Sequence, residues 1–268
     1  FLCYLRIAKG WGWSLYLYVI PAIPMLFSFY FGLKEGDGRR KIANALALLV
    51  MFVVLLGFPS VAHLLEQGKG AGDLPALTEL EILFSSIMSF TLFFIPSVII
   101  VYIEGEGMGN GFRILGFKPE RKLFSSMAWG LLLTIITFMV VILAQSIMDL
   151  VAALFGFGIP PENPLAEQMS SYPLLIIVLP ILAGVGEEIF FRGVLQPRFG
   201  IAAQTIVFGL AHAAYLDPQL VILHMVMAII WGYAYKITKV IRIVITSHAA
   251  YNFIAMLISY SVGDYLLI

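Results

Sequence analysis

Charged residues are scarce in this chain, and cysteine is almost absent. Lys, Arg, Asp and Glu make up only 12% of the 268 residues, 61% are hydrophobic, and the mean hydropathy is +0.97. Soluble domains carry about twice that charged fraction, so the composition excludes an ordinary soluble protein and indicates an integral membrane protein. The single cysteine, Cys3, excludes an internal disulfide framework and a cysteine-based metal cluster.

Long apolar runs divide the chain into eight candidate membrane crossings, since a crossing helix needs about 20 mostly apolar residues. The ten-residue alternation of a membrane barrel is missing, so we expect an all-α membrane protein. It would form a single polytopic domain over 1–268, with four helices in 13–157 and four in 172–262. The eight segments are approximately 13–33, 42–64, 80–103, 123–157, 172–191, 201–215, 219–235 and 240–262.

Lys and Arg are distributed unevenly between the two sides of this bundle. The connections and helix ends on one side carry 13 of the 16 basic residues, and those on the other side carry 3. Because basic loops stay in the cytoplasm, we expect eight crossings of the cell membrane with both termini outside. The glycine-rich segment 104–122 would be a mobile cytoplasmic loop. Since the sequence begins with Phe1 rather than Met, we also expect further residues upstream.

Two adjacent glutamates stand in the fifth apolar segment, where each ionisable side chain costs about 2.5 to 3.5 kcal/mol on insertion scales. Glu188 and Arg192 are four residues apart, so they share a helix face and can form an ion pair. Glu187 points about 100° away from Glu188, since 3.6 residues complete one helical turn. The two carboxylates therefore need not have the same role.

Two histidines and an asparagine lie in the sixth and eighth apolar segments. His248 and Asn252 are four residues apart, as are Phe208 and His212. With Arg192 taken as the cytoplasmic end of the fifth helix, a rise of 1.5 Å per residue places Glu187 about 8 Å below that face. His248 comes out at about 9 Å and His212 at about 16 Å by the same measure. We therefore expect a polar cavity near the cytoplasmic face.

This set of side chains suits the addition of water to a carbonyl group. A carboxylate in apolar surroundings holds a proton more readily than one in water, so it can act as a general base. Imidazole and amide groups can share the proton or donate hydrogen bonds to the oxyanion that develops. No serine or cysteine nucleophile is required.

Three short motifs carry a resemblance to a known family. EEIFFR (187–192) fits Glu-Glu-x-x-x-Arg, FGLAH (208–212) fits Phe-x-x-x-His, and HAAYN (248–252) fits His-x-x-x-Asn. Together and in this order they resemble the CPBP intramembrane proteases, which include the type II CAAX prenyl endopeptidases. The resemblance covers about 173–261, and the first four helices fit it only in number and hydrophobicity.

The resemblance implies a glutamate-dependent intramembrane endopeptidase whose site opens toward the cytoplasm. In that family's terms, Glu187 would activate water with help from His212, while His248 and Asn252 would bind the oxyanion. Glu188 with Arg192 would support the site. Phe208 would pack beside it or border the substrate. The implied partners are a peptide or lipidated protein, such as one with a prenylated C-terminus, and the lipid bilayer. We expect no nucleic acid and no cofactor.

Other readings remain open from the residues alone. Glu187, His212 and His248 could instead hold zinc, since two histidines and one glutamate form an open zinc set. The polar residues could also be a folding network of a non-catalytic partner or immunity protein, or a proton relay of a transporter. The other two histidines, His63 and His224, match no motif and are interpreted as structural, with His224 near the outer face.

Overall fold

The computed structural model describes residues 36–68, 78–117, 122–155, 172–212 and 218–262, with side chains from 36 to 54 in the first of these ranges. The first predicted crossing (13–33) lies outside the described residues, as does the side chain of His63. The predicted positions of the two termini lie outside them as well.

Every regular element in the described part of the chain is helical, which confirms the all-α prediction. Five helical stretches are long and apolar enough to cross a membrane. The predicted total of eight crossings stays a prediction. In chain order the elements are α1 (Gly38–Gly68), α2 (Glu79–Gly105), α3 (Met108–Ile114), α4 (Leu123–Phe155), α5 (Pro173–Glu188), a π-helical segment (Ile189–Leu195), α6 (Gln196–Ala211), α7 (Pro218–Thr238) and α8 (Ile241–Val262).

Local sequence signals explain where two of these helices begin. Thr78 starts α2 with a reciprocal capping pair, in which the Glu81 amide donates to the Thr78 hydroxyl and the Thr78 amide donates to the Glu81 carboxylate. Pro173 occupies the first turn of α5, where its missing amide hydrogen removes no helical hydrogen bond.

The helical run that begins with α5 reverses direction at Gly200. This glycine has φ 82° and ψ 173°, a conformation essentially restricted to glycine. Glu187 and His212 are 25 residues apart, which a straight helix would separate by about 37 Å. Their side-chain atoms Oε2 and Nε2 are instead 3.9 Å apart, so the run is a hairpin of two antiparallel arms.

This hairpin corrects the predicted position of Arg192. The prediction places that residue at the cytoplasmic end of the fifth helix, but the helix continues through the π-helical segment and Arg192 is fully buried. Measured from Gly200, Glu187 and His212 are 13 and 12 residues away, so both lie about 18 to 20 Å along their arms. The difference in depth predicted between them was therefore wrong.

Residues 104–117, the described part of the segment 104–122 apart from Lys122, also differ from the predicted loop. They contain the short helix α3, and Gly111 of that helix packs against the backbone of Val101 in α2. After α3, the carbonyl of Gly116 accepts a hydrogen bond from the amide of Ile241 at 3.3 Å. These contacts fasten the segment to the start of α8.

The core of the bundle surrounds the π-helical segment, all of whose seven residues are buried. Helices α4 and α8 approach closely at Gly130, where a Cβ atom would lie 2.6 Å from Thr246. Near this contact the Thr134 hydroxyl lies 3.3 Å from the Ser247 carbonyl, so α4 supports the part of α8 that carries His248. The opposite face of α4 is apolar and exposed, as a lipid-facing surface requires.

Candidate active site

Glu187 and Glu188 lie at the junction between α5 and the π-helical segment, and their side chains have different surroundings. Glu187 keeps 15% of its side-chain surface exposed and faces His212, whereas Glu188 is fully buried and faces Arg192 and His248. The angular separation expected from the helical repeat is thus present. π-helical turns occur frequently at functional sites, and here one follows directly after both acids.

Glu188 connects two of the three sequence motifs. Its Oε2 lies 3.0 Å from the Arg192 Nε, and its Oε1 accepts a hydrogen bond from the His248 Nδ1 at 2.8 Å. The contact with Arg192 matches the predicted ion pair. The contact with His248 was not predicted, since spacing along one helix does not show which residues meet on different helices. Glu188 therefore orients the imidazole of His248.

Aromatic rings surround the guanidinium of Arg192. Its Cζ lies 4.6 Å from the centre of the Phe208 ring and 5.5 Å from that of Trp231. Among the described residues, neither Nη atom has a hydrogen-bond acceptor. Contact with the ring faces therefore replaces part of the lost hydration.

Phe208 lies at the centre of this arrangement rather than at its border. Its ring has no exposed surface and is 4.9 Å from Phe191, 4.8 Å from His212 and 6.0 Å from His248, measured between ring centres. It packs between the rings of the site in this arrangement, and the substrate-binding role predicted for Phe208 stays a prediction.

The orientation of His212 follows from a contact with its own helix. Its Nδ1 lies 2.8 Å from the Phe208 carbonyl, which can only accept, so Nδ1 carries the hydrogen. In the neutral ring, Nε2 is then the acceptor, and this atom faces Glu187 Oε2 at 3.9 Å. That oxygen is buried and has no hydrogen-bond donor among the described residues.

His248 is held on a second side by Trp231. The two rings stack with centres 4.4 Å apart and an interplanar angle of 20°. The indole Nε1 of Trp231 donates to the Ser247 hydroxyl at 3.0 Å, and both residues are fully buried. Asn252 follows His248 by one helical turn and is half-buried. Trp231 and Ser247 thus belong to the site, although the motifs did not indicate them.

His224 also reaches the site, contrary to its predicted place near the outer face. Its ring stacks on that of His212, with centres 3.7 Å apart and an interplanar angle of 17°. A signal for this was present in the sequence, because His224 precedes Trp231 by seven residues. Residues seven apart lie on the same face of a helix, so α7 presents both rings to the same neighbours.

The alternative of a zinc site requires three ligands around one point. Within the described ranges, no three side chains of His, Cys, Asp or Glu are arranged to hold a metal ion. His248 directs its Nδ1 to Glu188, while Glu187 faces His212. The Nε2 of His248 takes no part in these two contacts, so the zinc site stays an alternative.

Fold and site together define a class of protein: a polytopic helical membrane protein with a buried cluster of glutamates and imidazoles. Residues 169–254 match the family described as type II CAAX prenyl endopeptidase Rce1-like. For this part of the chain, the match confirms the resemblance drawn from the three motifs. Comparison with curated proteins gave no match. Comparison with solved structures also gave none.

Proposed function

We propose that the protein is an intramembrane endopeptidase in which Glu187 activates water for attack on a peptide carbonyl. The observation that carries the proposal is the 3.9 Å separation of Glu187 Oε2 and His212 Nε2 inside a domain of an endopeptidase family. Both atoms act as hydrogen-bond acceptors when Glu187 is ionised and His212 is neutral. One water molecule placed between them can donate one hydrogen to each.

Such a water molecule keeps its lone pairs free for the substrate. Its oxygen forms the new bond to the carbonyl carbon, and Glu187 takes the proton that the water loses. The carbonyl electrons move to oxygen and give a tetrahedral oxyanion. When the C–N bond breaks, the same proton passes from Glu187 to the leaving amine, so the carboxylate is regenerated. His212 keeps the water aligned and can hold a proton during the transfer.

The oxyanion would be bound by His248 and Asn252, which lie one turn apart on α8. The Asn252 amide can donate directly. His248 already donates from Nδ1 to Glu188, so donation from Nε2 requires the imidazolium form. Glu188 provides the negative charge next to that cation. The role of Glu188 and Arg192 is thus to set the orientation and charge of His248.

The substrate class follows from the location of the site within the bundle. A membrane-embedded site receives peptides that partition into the bilayer, and the matched family is named for prenylated C-terminal sequences. We therefore propose a membrane-associated peptide or lipidated protein as substrate. We further propose that the site opens toward the cytoplasm in the cell membrane, as the distribution of basic residues indicates.

Cleavage of peptides by the purified protein in detergent, followed by mass spectrometry, tests this function. A set of peptides ending in a farnesylated cysteine and three residues is compared with the same peptides without the farnesyl group. Glu187→Gln should lower kcat at least about 10²-fold, as expected for loss of a general base. Glu106→Gln makes the same chemical change at an exposed ion pair with Arg39 and should leave kcat unchanged.

Two further results separate this function from the alternatives. A zinc hydrolase would lose activity with 1,10-phenanthroline and recover it with added Zn²⁺, whereas we expect no effect of the chelator. A folded Glu187→Gln variant that cleaves at the wild-type rate would exclude the glutamate mechanism. If neither peptide set is cleaved but proteoliposomes show a proton flux that Glu187→Gln abolishes, the protein is a transporter.

A further inference from the structure

The contact between His224 and His212 has no part in the mechanism above. Each ring has its Nδ1 within 3 Å of the carbonyl four residues earlier in its own helix, 2.8 Å to Phe208 and 2.6 Å to Leu220. Both rings are therefore fixed at Nδ1 by different helices. They meet face to face, with centres 3.7 Å apart. The pair thus forms a direct link between α7 and the second arm of the hairpin.

This contact gives His212 a support that its own helix does not, because α6 ends at the preceding residue. His212 follows the last residue of α6, Ala211, and has φ −90° and ψ 2°, outside the helical range. The hydrogen bond at Nδ1 restrains one edge of the ring, and small changes in the side-chain torsion angles of His212 would still move Nε2 relative to Glu187. A second flat ring stacked on its face prevents this movement.

We infer that His224 is a positioning residue that holds the plane of the His212 ring so that Nε2 faces Glu187. This inference rests on the proposed function, because the alignment matters only if His212 orients the attacking water. His224 acts through its flat face and not through proton transfer.

Three possible roles of His224 differ in the kind of side chain that can replace it. A packing role needs only an apolar group of similar size, so Leu would suffice. A proton relay needs a ring nitrogen, so neither Leu nor Phe would suffice. A positioning role needs a flat ring, so Phe would suffice and Leu would not.

Steady-state cleavage by His224→Phe and His224→Leu gives the first test. His224→Leu should lower kcat about tenfold or more and change KM less than about twofold, since small misplacements of a catalytic group affect the chemical step. His224→Phe should keep kcat within about threefold of the wild type. Ile222→Leu on the exposed face of α7 is the control and should change neither constant. Wild-type kcat in His224→Leu, or equal losses in both folded His224 variants, would overturn the inference.

A second measurement does not depend on activity or on the folding of the Phe variant. The ring protons of His212 lie over the ring current of His224, so their NMR resonances in histidine-labelled protein should be shifted upfield. His224→Leu should remove this shift, with His212→Gln used for assignment. An unchanged His212 spectrum in His224→Leu would refute the positioning role. Absence of Glu187-dependent cleavage would refute the proposed function instead, while the NMR result would still decide how His212 is held.

Discussion

Arg192→Met should lower the free energy of unfolding by more than the loss of side-chain packing alone would. Arg192 and Glu188 are both fully buried, and their atoms Nε and Oε2 are 3.0 Å apart. Removing one partner of such a pair costs about 3 to 5 kcal/mol, because the other charge stays buried without compensation. Loss of the contacts with Phe208 and Trp231 adds about 0.5 to 2 kcal/mol. We therefore expect Arg192→Met to lower the free energy of unfolding by at least about 3 kcal/mol.

The double variant Glu188→Gln/Arg192→Met separates charge from packing. It removes both charges while keeping an amide that can contact His248, and neutral replacement of a whole buried pair is often tolerated. We expect it to recover about 2 kcal/mol or more of the stability that Arg192→Met loses. It should nevertheless show a much lower kcat than the wild type, because His248 loses the carboxylate that orients it.

Reversible unfolding in mixed micelles of dodecyl maltoside and SDS measures these free energies, and cleavage of the best peptide measures kcat. Arg39→Met serves as the control, since Arg39 forms an exposed ion pair with Glu106 and its loss should cost no more than about 1 kcal/mol. A loss of less than about 1 kcal/mol in Arg192→Met, the range of an exposed ion pair, would refute the buried-charge effect. A double variant as unstable as the sum of the two single changes would refute it as well.

Two further predictions concern the hairpin and the support of His248. Gly200→Ala should destabilise the protein by about 1 to 3 kcal/mol through its backbone conformation alone, since no atom lies within 4 Å of the added methyl group. Gly109→Ala is the control, because its added methyl group also has no atom within 4 Å and Gly109 does not have a positive φ. It should not destabilise the protein in the same unfolding assay. Ser247→Ala should cost about 1 to 3 kcal/mol and lower kcat, because it leaves the buried indole N–H of Trp231 without its hydrogen-bond acceptor. Wild-type stability in Gly200→Ala or in Ser247→Ala would contradict the corresponding argument.

Several features of the site could be predicted because they depend on residues close in the chain. The pairing of Glu188 with Arg192 follows from a spacing of four on one helix, and the different directions of Glu187 and Glu188 follow from the helical repeat. Most ends of the described helices could be placed within a few residues because apolar runs and caps are local signals, whereas the fifth helix continues past its predicted end. The three motifs likewise led to a family that the comparison of residues 169–254 confirms.

Other features depended on contacts between helices and could not be read from spacing. Arg192 is a charged residue that follows an apolar run, which predicts a helix end. The helix nevertheless continues past it, because Glu188 and aromatic rings compensate its buried charge. The motif spacing places Phe208 one turn from His212, but only the tertiary structure shows that its ring is fully buried between other rings of the site. His224 matched no motif, and only the packing of α7 on the hairpin brings it to His212.

The sequence by itself determined that this is a helical membrane protein with an acid–imidazole site, because hydropathy and motif spacing are properties of the chain. Only the tertiary structure decided which imidazole each glutamate meets. Gly200 reverses the chain and brings His212 to Glu187, while the packing of α8 against α5 brings His248 to Glu188. These pairings arise between residues 25 and 60 positions apart, where the turn at one glycine and the packing of whole helices set the distance.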